Sequence, residues 1–371
     1  MARRNPVIIE REPAPLKRFA FLDWMRGLAV LIMIQCHAFN SFTRLDLRQS
    51  GSYMLTQFIG GMAAPLFLFM AGMTAGFQME SLEARKRRRV DRWVAALRRA
   101  VYILFIAYLF RFTNWLGSLP KPSMDDFLKV DILNCMGLAM LVFAAAALFD
   151  FHQRLRITVL GALAVAAVAP VMSGLDWSGV APVLRDYLVP SPNRGRFAFF
   201  PCAAYLGFGI AAGSIVKRTA VERMDRMMQW AVLLGFVLVF GAQYFASVPY
   251  SIYANADFWR NSPALILIRV GIALLLLAGA YVWTEFCTKS GWSWMQNLGK
   301  TSLMVYWVHV MLVYGSLADP LKGSLTVPLA AVVTLLVIVL MVLLAELRLR
   351  WKLRYGERWR AGTTVAGPAP V

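Results

Sequence analysis

Long apolar blocks constrain this chain more than any other feature of its sequence. These blocks run for about 17–23 residues, the length that an α-helix needs to cross the hydrocarbon core of a bilayer. Of the 371 residues, 59% are hydrophobic and only 16% are charged, whereas a soluble protein usually carries about 25% charged residues. The sequence therefore predicts an all-α polytopic integral membrane protein and excludes a soluble globular enzyme.

Ten apolar segments along the chain are predicted to be transmembrane helices. They lie at residues 21–42, 54–77, 101–116, 131–149, 157–172, 197–216, 230–246, 263–283, 301–317 and 327–347. We predict a single membrane domain at residues 20–347, between basic tails at 1–19 and 348–371. The polar N-terminal residues do not resemble a cleavable signal. The long connection at 173–196 favours a surface or re-entrant segment.

The charge pattern predicts the orientation of these helices. Basic residues cluster in alternate connections, and one set of connections carries about three times as many Lys and Arg as the other set. The positive-inside rule then predicts ten spans with both termini in the cytoplasm. It also explains the net charge of +19 without a nucleic-acid partner. Membrane lipids or an anionic cytosolic ligand are the partners that fit this surface. None of the four cysteines has metal-ligand spacing, so we predict no metal site.

The first predicted span carries ionisable residues where lipid would normally exclude them. Arg26 and His37 are eleven positions apart, which places them within about 20° on one helix face and about 16 Å apart along the axis. Asp23 precedes them, and Asn40 follows His37 by one turn, where it could orient the imidazole or cap the helix end. A charged residue inside a span usually faces a cavity or a partner and marks a functional site. The alternative is a snorkelling arginine and a histidine that only fixes helix packing.

Other predicted spans contain further ionisable groups that we expect to share a polar cavity with Arg26 and His37, because an unpaired charge in lipid is costly. These groups are Arg111, Asp131, Arg269 and His309. His309 could equally make an interhelical hydrogen bond with no catalytic role. Histidine is suited to moving protons near neutral pH, so His37 could deprotonate a hydroxyl or amine, or attack an acyl group itself.

Basic residues on the predicted cytoplasmic side are candidates for binding a phosphorylated donor. The densest positive run lies between Arg85 and Arg99, on the same side as Arg26. The predicted donor-binding residues are Arg26, Arg87, Arg88, Arg92, Arg99 and Lys300.

Four motifs, in order, resemble those of the transmembrane acyltransferases. The first is Asp23-x-x-Arg26-Gly27 followed by His37, an arginine–ten residues–histidine signature. The second is the Pro65–Gly72 segment, and the third runs from Phe200-Pro201 to Gly207-x-Gly209. The last is Leu298-Gly299-Lys300-Thr301-Ser302-Leu303 with Tyr306 and His309. This superfamily includes acyltransferase family 3 and the heparan-α-glucosaminide N-acetyltransferases. The chain length and second motif resemble the bacterial N-acetyltransferase branch, whereas the loop after the first span lacks the histidine of the heparan enzymes.

The resemblance implies an enzyme in the bacterial cytoplasmic membrane that takes acetyl-CoA from the cytoplasm and acylates a glycan on the far side. It implies that His37 is the base or acyl carrier, that Arg26 supports the donor or the structure, and that His309 and Tyr306 line the cavity. The sequence does not identify the acceptor sugar, the acyl chain or the oligomeric state, and a homo-oligomer is left open. Two other functions remain open here: a transporter or flippase for a lipid-linked or anionic substrate, and a non-catalytic assembly protein.

Overall fold

The computed structural model describes residues 19–117, 123–191, 195, 197–248, 252–253, 257–288 and 292–364, which are almost entirely helical. We number the helices α1 to α14 in chain order. They are Ala20–Phe42, Gly51–Gly60, Ala63–Ala84, Arg89–Gly117, Met124–Leu128, Ile132–Phe143, Phe151–Gly174, Pro182–Leu188, Phe199–Arg218, Met224–Ser247, Pro263–Val282, Trp294–Lys300, Ser302–Tyr314 and Val327–Thr364. Within these described ranges, β-structure is limited to two isolated bridges.

Each predicted span coincides with one or two helices, and the prediction of an all-α membrane protein is confirmed. In the described residues, seven helical segments are long and apolar enough to cross a membrane. Two further apolar helices, at 132–148 and 302–314, are shorter than a span normally requires. Helix α1 has 23 residues but is not among the seven, because its embedded polar side chains lower its hydropathy. The total of ten spans and the orientation of the termini stay predictions.

Close backbone contact between α3 and α9 forms the centre of the bundle. A Cβ atom on Gly72 would collide with the Leu206 carbonyl oxygen, and one on Gly209 would collide with the Phe69 carbonyl oxygen. Only glycine allows two helices to approach so closely. The two backbones therefore interlock, and the larger apolar side chains of both helices pack around this contact.

Helix α1 lies inside the bundle, between α2, α3, α11, α12, α13 and α14. Its contact with α12 again depends on glycines, since a Cβ on Gly27 would overlap the Met295 carbonyl and one on Gly299 would overlap the Asp23 carbonyl. This contact fixes the N-terminal half of α1, where Arg26 lies. The C-terminal half packs along α13, which carries His309.

The C-terminal end of the predicted membrane domain and the long connection at 173–196 both contain helix. Helix α14 begins at Val327 and continues without a break to Thr364, so the described part of the C-terminal tail extends the last predicted span as helix. The connection at 173–196 contains the short helix α8. The division of the chain into one domain and two tails stays a prediction.

Candidate active site

Two imidazole rings from distant parts of the chain meet between α1 and α13. The Nδ1 atom of His37 lies 3.0 Å from the Nε2 atom of His309, and the two rings stack with their centroids 5.2 Å apart. His309 is fully buried, whereas His37 is partly exposed. The structure thus brings together the two membrane histidines that the sequence identified separately.

The hydrogen bonds of His309 assign the proton positions on both rings. The Nδ1 atom of His309 lies 2.7 Å from the Val305 carbonyl oxygen, which can only accept, so this nitrogen carries a proton. The Nε2 atom of a neutral His309 is then an acceptor, and Nδ1–H of His37 donates to it. This arrangement leaves the lone pair of His37 on Nε2. No group in the described part of the chain hydrogen-bonds to that nitrogen.

Asn40, which could orient the imidazole or cap the helix end, hydrogen-bonds to two tyrosines near His37. Its side-chain amide donates to the Tyr314 hydroxyl at 3.3 Å, and its side-chain oxygen is 3.5 Å from the Tyr53 hydroxyl. The Tyr314 ring in turn packs edge-on against His37, with centroids 5.5 Å apart. Tyr314 therefore forms one wall of the site. Nothing in the sequence marked Tyr314 beyond its position five residues after His309.

On the predicted cytoplasmic side of His37, two arginines lie close together. Arg26 donates to the Thr74 hydroxyl at 2.8 Å and to the Asp23 carboxylate at 3.3 Å. Arg99 donates to the amide oxygen of Gln78 at 3.3 Å and is close enough to Arg26 for the two charges to repel. Among the described residues, Arg99 has no carboxylate partner. Arg99 is thus held mainly by neutral groups and lies next to a second cation. This environment favours the binding of an anionic ligand.

The side chains of Arg99 and Gln78 line a small enclosed pocket. Apolar side chains form the rest of its wall, namely Ala75, Met79, Ala96, Met140, Leu206 and Ile210. The pocket lies between α3, α4, α6 and α9, beside the glycine contact described above.

The other predicted donor-binding residues lie elsewhere. Arg87 is exposed on the connection between α3 and α4. Arg88 forms an exposed ion pair with Asp91 at 3.2 Å. Lys300 lines a separate groove beside α13 and α14. The structure therefore does not bring these three side chains together with Arg26 and Arg99.

Arg92, the remaining donor-binding candidate, belongs to a buried ion network that the sequence did not predict. It lies 3.0 Å from Glu83 on α3, and Arg154 on α7 contacts the same carboxylate. Glu80 lies 3.2 Å from Arg154 and 2.6 Å from Arg218 on α9. Arg154 is completely buried, and Arg92 is only 2% exposed. The network joins four helices at one end of the bundle, so Arg92 is engaged in packing.

At the other end of α4, Arg111 and Asp131 lie close together and are largely shielded from solvent. Arg111 donates to the Lys129 carbonyl at 2.8 Å and lies 3.9 Å from the Asp131 carboxylate. One nitrogen of Arg111 and one oxygen of Asp131 are buried without a hydrogen-bond partner among the described residues. Tyr306 lies between this pair and the histidines, with its ring 5.9 Å from that of His309 and within electrostatic range of both charges.

A chain of hydroxyl and amide groups adjoins Asp131. The Asp131 carboxylate caps the start of α6 together with Asn134, and Asn134 donates to the Tyr187 hydroxyl at 3.0 Å. The Tyr187 and Tyr108 hydroxyls are 2.8 Å apart. Burial raises the pKa of Tyr187, so its hydroxyl remains protonated at neutral pH. The sequence indicated Asp131 but neither of these tyrosines.

The six embedded ionisable groups thus divide into neighbouring clusters and do not meet in one. Arg26 pairs with Asp23, His37 with His309, and Arg111 with Asp131. Arg269 lies against Gly61 and Tyr205. The expectation that all six groups share one polar cavity stays a prediction.

A comparison with known protein families matches most of the chain. The model of the acyltransferase domain of acyltransferase family 3 matches residues 19–346, which include α1 with both signature residues and α13 with the second histidine. The chain belongs to acyltransferase family 3. The predicted resemblance is therefore confirmed at the level of this family. No curated protein matched the acyltransferase.

Proposed function

We propose that this acyltransferase moves an acetyl or similar acyl group from cytoplasmic acyl-CoA to a hydroxyl or amine of a sugar or glycan, at or across the membrane. The observation that carries the proposal is the His37–His309 pair, which leaves an available lone pair on His37 Nε2. Family membership supports acyl transfer as the reaction class. We also propose ten spans with cytoplasmic termini in a bacterial cytoplasmic membrane.

The proposed chemistry begins with a hydroxyl or amine of the acceptor donating its proton to His37 Nε2. The acceptor atom then attacks the thioester carbonyl carbon, the C–S bond breaks, and the thiolate takes the proton from His37. The products are the acylated acceptor and free coenzyme A, so atoms and charge balance. His309 keeps the His37 ring oriented and stabilises the imidazolium through its Nε2 acceptor.

The donor is proposed to bind from the cytoplasmic side along Arg26 and Arg99. A phosphorylated donor supplies the anion that Arg99 lacks among the described residues. The rise from Arg26 to His37 is about 16 Å on a helix. The anionic part of the donor can therefore stay near the arginines while its thioester reaches the imidazole.

The acceptor is proposed to approach from the opposite end, past Tyr306 and the Arg111–Asp131 pair. The two unpartnered polar atoms of that pair favour a ligand with several hydrogen-bonding groups, such as a sugar. Tyr306 then separates the acceptor-binding groups from the histidines.

Acetyl transfer from radiolabelled acetyl-CoA, with release of the thiol, tests this function in purified protein reconstituted in nanodiscs. We expect His37→Ala to abolish both signals while the protein stays monodisperse. His152 is the matched control, because it is an exposed histidine on α7 outside the site, and His152→Ala should leave the rate unchanged. Full activity of His37→Ala would contradict the mechanism. Substrate flux into liposomes without an acyl donor would favour a transporter instead.

A further inference from the structure

A surface groove between α13 and α14 combines two cations with an apolar floor. Its polar end is formed by Lys300 at the end of α12 and by Arg348 on α14, together with the residues Thr301 and Ser302. Its floor is formed by Leu303, Met304, Trp307 and Val308 of α13. The groove therefore has a positively charged head and an apolar body.

In the part of the chain that the structure describes, the two cations of the groove have no acidic partner. Lys300 and Arg348 are both exposed, and within the described ranges neither forms an ion pair with a carboxylate. Glu346 lies two residues before Arg348, but its carboxylate already accepts from Trp292 and Asn297 and pairs with Arg350. The groove also contains no acidic residue among those that line it. The cations are thus available to an anion.

The geometry of α13 separates this groove from the active site. The floor residues recur at the spacing of a single helix face, and the stretch from Lys300 to Val308 is about 12 Å long. His309 and Val305 lie on the buried side of the same helix. A ligand in the groove would contact the outer side of the helix that holds His309.

We propose that this groove binds an anionic phospholipid of the bilayer, with its phosphate between Lys300 and Arg348 and one acyl chain along the floor. Both cations lie at the same end of an apolar surface, which matches a phosphate attached to a hydrocarbon chain. Basic pockets between transmembrane helices on the cytoplasmic side bind anionic headgroups in this way. The inference is independent of the proposed reaction.

Tryptophan quenching by brominated lipids tests the inference, because Trp307 lies on the groove floor. The protein is reconstituted in phosphatidylcholine with increasing fractions of phosphatidylglycerol that carries brominated acyl chains. Subtraction of the Trp307→Phe signal isolates quenching in the groove. Each cation near an anionic surface contributes about fivefold to binding, so Lys300→Gln with Arg348→Gln should require about 25-fold more phosphatidylglycerol for half-maximal quenching.

Lys352→Gln with Arg354→Gln is the matched control, because it removes the same charge from exposed positions of α14 that do not line the groove. This control should shift quenching little. Equal quenching by brominated phosphatidylcholine would overturn the inference, because the groove would then hold ordinary boundary lipid. So would an unchanged curve for the Lys300 and Arg348 variant. Displacement of the lipid by coenzyme A would also overturn it and would return Lys300 to the donor site.

Discussion

Replacing His309 tests whether the second histidine orients the first. In the structure, His309 Nε2 accepts the Nδ1–H of His37 at 3.0 Å, and this bond strengthens when His37 becomes an imidazolium. A hydrogen bond to a charged group contributes about 1.5–3 kcal/mol. His309→Asn places its amide too close to the helix to reach His37, so we expect kcat to fall about 10- to 150-fold.

His309→Gln is the matched variant. Its side-chain oxygen can occupy the position of Nε2 and accept from His37, although it cannot also donate to the Val305 carbonyl. We expect this variant to keep most of the wild-type kcat. Initial rates of coenzyme A release, at saturating acetyl-CoA and with protein that elutes as one peak, give the comparison. Equal loss in both variants would refute the orienting role, as would full activity of His309→Asn.

Three other predictions follow from the packing and from the arginines. Gly299→Ala should lower stability by about 1–3 kcal/mol, because the added Cβ overlaps the backbone of α1. Gly279→Ala is the control: its added Cβ meets no neighbour within 4 Å, so the melting temperature should stay unchanged. Arg154→Ala should lower stability by about 1–3 kcal/mol, because Glu80 and Glu83 lose their most deeply buried partner but keep Arg218 and Arg92; a normal thermal melt would contradict this. Arg99→Gln should raise KM for acetyl-CoA about tenfold with little change in kcat, since a charge-assisted hydrogen bond is lost. Arg98 is the exposed neighbouring arginine, and Arg98→Gln should leave KM unchanged.

The helices of this protein could be predicted because the length and hydropathy of a segment decide whether it can lie in lipid. Each predicted span coincides with a helix. The end of helix α3 was less predictable than its apolar part, because Glu80 and Glu83 lie beyond the apolar segment. These carboxylates are stable in a buried position only because arginines from three other helices reach them. No local pattern in the sequence records such a long-range pairing.

The candidate site was predictable in its residues but not in its contacts. Imidazoles in apolar segments stand out in any sequence, so both His37 and His309 could be identified. Their contact joins positions 272 residues apart, and single-sequence reasoning does not determine which helix faces are neighbours. For the same reason, the sequence did not show which of these ionisable groups pair directly. Tyr314 was missed because an aromatic residue near a span end usually signals only the membrane interface.

The interlocked backbones of α3 and α9 limit how this protein can move. Two helices that touch through glycine and carbonyl atoms cannot slide or rotate past each other without steric collision. They therefore form a fixed pair within the bundle. Any motion that admits substrates must therefore occur in the surrounding helices, around this fixed pair.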